Sequence, residues 1–274
     1  LALDGAFRGG VGGIFLRQGQ AGDVVHDADG ELTAAVVFKL KKRETWLPGV
    51  FIGAVTFFLF AMILEQLLHL VMMPLVRGSV VMTSIYGALA AGVFEETGRF
   101  VAYKTLMKRH YTTKNAVYMG IGHGGCEAIL LVGVNFISYA VIALSVNALG
   151  VEQFIKMSTA GNTEIAETIR LQLNAIADIN AVYAVQALFE RIIAMVFHVC
   201  MSVVVYKAVS RRGKIWLYPL AVVLHAVLDV PAVLYQTGVI TSIPVVHVIM
   251  TVFVAAVVFG TVMLSKKLPD KTAQ

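Results

Sequence analysis

Eight ionisable residues interrupt four otherwise apolar stretches of this 274-residue chain: Glu95, Glu96 and Arg99, then His123 and Glu127, then His198, and last His225 with Asp229. Carboxylates and imidazoles are the side chains that move protons, hold water and ligate metals. Placing such a group in hydrocarbon costs several kcal/mol, so intramembrane ionisable residues face a bundle interior and mark functional sites by default. The chemistry these types offer together is hydrolytic, with a carboxylate to activate water and imidazoles to hold it.

Their depths agree. A helix rises about 1.5 Å per residue, which puts Glu95, His123 and His198 each about 13 Å from the nearest basic loop residue (Lys104, Lys114 and Lys207), and His225 about 16 Å from Lys214. Four helices thus deliver Glu or His to one layer in the inner half of a membrane. Glu95 and Arg99 stand at i and i+4, and Glu96 and Arg99 at i and i+3, so both pairs share a helix face. His123 with Glu127, and His225 with Asp229, are also one turn apart. That spacing predicts a carboxylate holding one ring nitrogen while the other meets a substrate, a water or a metal. His123, His198 and His225 are the candidate metal ligands, and with the carboxylates they suit zinc with one position left for water. No H-E-x-x-H motif is present, so participation of a metal stays open.

The elements that must position this layer are membrane helices. Hydrophobic residues make up 58% of the chain, charged residues 14%, and mean hydropathy is +0.79, against about 25% charged residues in ordinary soluble domains. An all-α, polytopic transmembrane bundle of about six spans follows, at roughly 47–72, 79–106, 115–148, 183–207, 215–236 and 241–264. Basic residues cluster before the first span (Lys39, Lys41, Lys42, Arg43), in alternate loops (Lys104 to Lys114, Lys207 to Lys214) and after the last span (Lys266, Lys267, Lys271). By the positive-inside rule these segments are cytoplasmic, in what reads as a bacterial plasma membrane. Charge spread over short loops is not a nucleic-acid groove, so the expected surroundings are a lipid bilayer and a membrane-associated protein or peptide, with no nucleic acid.

The third span is too long for a simple crossing and carries Gly120, Gly122, Gly124 and Gly125 near its start. It either tilts or has broken first turns shielded by protein. The glycines match G-x-G-x-x-G by letter, but that fingerprint needs a βαβ unit; they read instead as sites of close helix approach. Residues 150–182 form the one sizeable outer loop, with helical spacing at Ile165, Ile169, Leu173 and Ile176 that predicts an amphipathic helix near the interface. Cys126 and Cys200 read as small core residues. Glu65, His69, Glu190, Arg191 and His247 lie toward the outer ends of their spans and read as anchors or local pairs; His26 and His110 read as solvated. Residues 1–31, rich in Gly and Asp, read as a disordered or non-native segment, with 32–266 as the transmembrane domain and 267–274 as a cytoplasmic tail. Leu32 to Leu40 looks like the stub of an earlier helix.

In order along the chain, E-E-T-G-R at 95–99, G-H-G-G-C-E at 122–127, F-H at 197–198 and H-A-V-L-D at 225–229 resemble the motifs of the YhfC family of intramembrane metalloproteases. That family is grouped with the CAAX prenyl endopeptidases, the PrsW proteases and the scaffold subunit of gamma-secretase. The resemblance covers roughly residues 32–265. It implies a protease domain in which a glutamate activates water for peptide-bond cleavage: Glu95 or Glu96 as base, Arg99 orienting the pair, His198 and His225 binding water or oxyanion, and Asp229 tuning His225. His123 and Glu127 fall in the second motif, where relatives vary. The CAAX peptidases place three residues between the paired glutamates and the Arg, whereas this chain has two, as the PrsW and YhfC groups do. Water would reach the site from the cytoplasmic side. A non-enzymatic scaffold gripping a partner helix through the same polar layer is the alternative. A proton-coupled transporter is a third reading, weakened by the lack of a repeated polar pattern in the two halves.

Overall fold

The structure is a computed structural model that describes residues 46–108, 112–160 and 162–270. The N-terminal segment, the stub at Leu32 to Leu40, His26 and His110 lie outside the described residues. Within them every regular element is helical: α1 (Trp46–Phe57), a π-helical stretch Phe58–Glu65, α2 (Gln66–Val76), α3 (Val80–Thr105), α4 (Thr113–Glu127), a second π-helical stretch Ala128–Gly133, α5 (Val134–Leu149), α6 (Val151–Thr159), α7 (Thr163–Ala177), α8 (Ala181–Ser210), α9 (Leu217–Gln236) and α10 (Ile243–Lys267).

Local chemistry sets several starts. The Ser79 hydroxyl accepts from the Met82 N–H ahead of α3, the Thr112 hydroxyl accepts from Asn115 ahead of α4, and Asn162 accepts from Glu164 and Ile165 ahead of α7, each relieving an orphan donor. Pro244 opens α10, where a missing N–H is harmless. Among the described residues, five helical segments are long and apolar enough to cross a bilayer: Leu47–Val76, Thr113–Leu149, Ala181–Ser210, Leu217–Gln236 and Ile243–Lys267. With 26 residues α3 is also long enough; Glu95, Glu96, Arg99 and Lys104 are what lower its apolarity. The chain is an integral membrane protein.

The described residues fall into two compact units, one of 129–189 and one of 46–128 with 190–270. In the first, Ala143, Val146, Val151, Ile155 and Leu173 bury a small core among α5, α6 and α7. The predicted loop helix is present as α7, and its apolar face packs on protein through Leu173 and Ile176. Arg170 donates from both terminal nitrogens to Glu152, at 2.8 and 3.1 Å.

The second unit contains all eight candidate residues. The first turns of α4 are unbroken helix, contrary to the broken start considered from its glycines. A Cβ on Gly122 would lie 1.9 Å from the Val50 carbonyl oxygen, and one on Gly53 would lie 2.1 Å from that of Met119. The α1 and α4 backbones thus meet where only glycine fits, as in other close membrane-helix contacts. Gly120 does the same toward α8, where a Cβ would stand 2.5 Å from Val199 Cα.

At the ends that carry the basic loops, Asp270 ties three helices together. It accepts from the Thr113 N–H and hydroxyl at 2.7 Å each, from the Tyr206 hydroxyl at 2.8 Å and from Lys207 Nζ at 2.9 Å. Burial alone would raise the Asp270 carboxyl, but these donors hold it down at about 2. Lys207, fully buried, thereby gains its counter-charge. The main core fills the space between this latch and the polar layer, with Tyr103, Met107, Met119, Met201, Val205, Leu217 and Ala221, and continues past the layer through Ile193, Leu228 and Val246.

Candidate functional site

Counted at about 1.5 Å per residue from the basic end of each helix, Glu95 on α3 and His123 on α4 lie about 15 Å deep, His198 on α8 about 18 Å and His225 on α9 about 12 Å. The four helices bring these side chains into contact. Glu95 Oε2 is the hub: it lies 2.8 Å from His123 Nε2, 3.6 Å from Arg99 Nη2, 3.7 Å from His225 Nε2 and 3.8 Å from His198 Nδ1. Phe57 meets the His123 ring edge-on, and Phe197 does the same against His198 and His225, so apolar rings wall the layer.

The two glutamates differ. Glu96 has no exposed surface; its Oε1 accepts from Arg99 Nη1 and from His225 Nδ1, the latter at 2.7 Å. Both of its partners are thereby fixed in orientation, and His225 turns Nε2 toward the hub. Glu95 keeps 6% exposure and is the carboxylate about which the three rings gather. Arg99 joins the two, since its Nη2 also donates to His198 Nδ1 at 2.7 Å. A guanidinium carries only donors, so His198 Nδ1 presents its lone pair and the ring hydrogen sits on Nε2. On that side of the ring Glu127 Oε2 stands in ion-pair contact with His198 Nε2.

The same-helix His–acid pairs expected from spacing are not the closest ones made. His123 bonds across helices to Glu95, while Glu127 turns to His198. His225 bonds to Glu96, and Asp229 stands 3.7 Å from its Nε2. The physical reason is reach: close α1–α4 and α4–α8 packing at the glycines sets His123 beside α3 and Glu127 beside α8. All eight predicted residues nonetheless belong to one network.

Arg191 is the residue that depth counting missed. It donates from Nη1 to Glu127 Oε1 and from Nη2 to Glu190 Oε1, both at 2.6 Å. It lies seven residues, two turns, before His198, and that shared face is the signal that pointed to it. Glu65 and His69 do pair locally, at 3.3 Å, and His69 Nδ1 meets the Tyr86 hydroxyl at 2.6 Å. His247 Nε2 approaches Glu190 at 4.0 Å. Cys200 is buried and Cys126 half-buried, both as free thiols.

Among the described residues one combination could hold a metal: donor atoms of Glu95, His123 and His198 lie within 4.8 Å of one another. The residue types fit a hydrolytic zinc or similar ion, and His123 Nδ1 has no hydrogen-bond partner among the described residues. His225 lies outside that trio.

Comparison with known proteins gives the network a family. The chain is 33% identical over 239 residues to a protein of Bacillus subtilis (strain 168) described as the uncharacterized membrane protein YhfC, covering 83% of this chain and 88% of that one. No solved structure matches. Residues 32–250 match the family described as YhfC intramembrane metalloprotease, and all eight residues of the polar layer fall within that span. The chain belongs to the YhfC family.

Proposed function

We propose that the chain is an intramembrane endopeptidase in which Glu95 activates water against a peptide bond of a membrane-associated substrate. The observation that carries this reading is the asymmetry of the two glutamates: Glu96 is sealed by Arg99 and His225, while Glu95 Oε2 stands at the centre of three imidazoles and retains some exposure. Glu95 takes a proton from water as the hydroxyl oxygen bonds to the carbonyl carbon; the proton then passes to the amine nitrogen as the C–N bond breaks. His225 and His198 hold the water or the oxyanion, and His123 holds Glu95. Asp229 tunes His225, Glu96 and Arg99 set the geometry, and Glu127 fixes the tautomer of His198. The same reading keeps the chain with the CAAX and PrsW peptidases and puts its basic loops in the cytoplasm of a bacterial cell.

A second reading rests on the Glu95–His123–His198 trio. A divalent ion held there would polarise a carbonyl or generate hydroxide from bound water. Against it, Arg99 already donates to His198 Nδ1 and stands 3.6 Å from Glu95 Oε2, so guanidinium and metal compete for the same acceptors.

The test is cleavage of a panel of membrane-anchored reporters by purified protein in lipid, with Glu95→Gln and Glu96→Gln alongside and with and without a chelator. Glu95→Gln should abolish cleavage while keeping the melting temperature near wild type; Glu96→Gln should lower both. Chelator-sensitive cleavage would favour the metal reading. An intact panel, with mutants that lose only stability, would leave a structural layer and favour the scaffold.

A further inference from the structure

The polar layer is not closed equally on its two sides. Toward the basic loops, all four site helices contribute buried side chains: Tyr103 on α3, Met119 on α4, Met201 and Val205 on α8, and Leu217 and Ala221 on α9. None of these exceeds 2% exposure. On α8 every residue from Cys200 to Ala208 is buried. Water would have to cross a close-packed core, sealed at its end by the Asp270 latch, to arrive from that face.

Toward the opposite face Ile193, Ala194 and Leu228 are still buried, but the ionisable residues there are progressively more exposed. Glu96, Arg99 and His123 have no exposed surface. Side-chain exposure is 12% at Glu127, 18% at Arg191, 30% at Asp229 and 36% at Glu190. By helix rise Asp229 lies about 6 Å beyond His225, and Arg191 about 10 Å beyond His198, both away from the basic ends. These four residues are ionisable, and charged groups in a membrane segment face a water-filled cavity or protein more readily than lipid. Glu127 and Asp229 thus keep open surface one turn from His123 and His225, which are themselves buried. Asp229 Oδ2 itself is buried, 3.7 Å from His225 Nε2, so the open surface of this residue belongs to the rest of its side chain.

We infer that the site opens to the membrane face opposite the basic loops, through a mouth lined by Glu127, Asp229, Arg191 and Glu190, and that water and an extended peptide segment reach Glu95 from there. This reverses the direction of water access expected from the sequence. For substrate choice it rests on the hydrolase reading above, and it selects peptides that enter from the side remote from the basic loops.

The experiment is thiol labelling, which needs no cleavage. The full chain, with Cys126→Ala and Cys200→Ala, carries a single cysteine as Asp229→Cys, Glu127→Cys or Met201→Cys, with Glu190→Cys and Lys266→Cys as references for the two faces. A charged, membrane-impermeant methanethiosulfonate is added to right-side-out or to inverted vesicles. Asp229→Cys and Glu127→Cys should react from the face that labels Glu190→Cys, at least about tenfold faster than from the face that labels Lys266→Cys, since only a hydrated thiol ionises to react. Met201→Cys should resist both. Reaction of Asp229→Cys and Glu127→Cys from the Lys266 face, or no reaction in either variant while Glu190→Cys is labelled, would overturn the inference. Variants are compared only where melting temperature matches the background, and the pair guards against loss of either one. If the labelling pattern holds but no reporter is cleaved, the mouth stands and the protease reading fails.

Discussion

Substituting Gly122 by Ala tests the scaffold beneath the site without touching a titratable group. The new Cβ would stand 1.9 Å from the Val50 carbonyl oxygen and 2.6 Å from its carbon, where ordinary contact begins at 3.4 Å. Both neighbours are helix backbone, so α1 and α4 must part by about 1.5 Å at this point, a form of overpacking that costs roughly 1–3 kcal/mol. His123 is the next residue, and a shift of that size stretches its 2.8 Å contact with Glu95 Oε2 out of hydrogen-bond range. Misplacement of about 1 Å in a catalytic group can cost about a hundredfold in rate. Gly87, on the same bundle but with nothing within 4 Å of a new Cβ, is the control; Ala there should be neutral or stabilise α3 by up to about 1 kcal/mol. Thermal unfolding in lipid nanodiscs reads the stability, and reporter cleavage reads the site. If Gly122→Ala melts no lower than Gly87→Ala, the close seam between α1 and α4 is wrong and the placement of His123 with it.

Three further outcomes follow from the same geometry. Arg191→Met should cut cleavage about 10- to 100-fold by releasing Glu127 from its role toward His198, as loss of an outer-shell partner does elsewhere, while Arg191→Lys recovers part of it; equal effects of Met and Lys would make the role merely steric. Arg99→Met leaves Glu96 buried without its cation and should destabilise by about 3–5 kcal/mol, so the double variant Arg99→Met/Glu96→Gln should melt above Arg99→Met alone. The Asp270 carboxyl, held at about 2 against an ordinary 3.8, stabilises the fold above pH ~4 and loses that contribution as pH falls toward ~2; because the group is partly exposed, its share is roughly 1 kcal/mol or less. Stability of Asp270→Asn should therefore fall below wild type at neutral pH and converge with it near pH ~2.

The layer of Glu95, His123, His198 and His225 was legible in the sequence because depth along a membrane helix follows from rise per residue and basic loops mark its origin. Pairing was not, because a shared helix face says which groups can meet and not which neighbour from another helix arrives first. His123 faces both Glu127 along its own helix and Glu95 across the bundle, and the glycine contacts decide for Glu95. Arg191 was set aside by depth, although a side chain as long as Arg spans a full helix turn and its spacing of seven from His198 put both on one face. The glycines of α4 were readable as sites of close approach, but which helices they met depended on the packing of α1 and α8 against them.

The Asp270 latch also bears on the order in which the bundle is made. Thr113 and Lys207 leave the ribosome long before Asp270, which follows the last membrane helix. Until then the start of α4 lacks its carboxylate and a buried ammonium lacks its partner, so the core beneath the site is left less firmly closed during synthesis. The tie beneath the polar layer is made last, after α10 has been synthesised. A nascent chain arrested before residue 270 should remain open to protease at the α3–α4 loop, and release of the tail should close it.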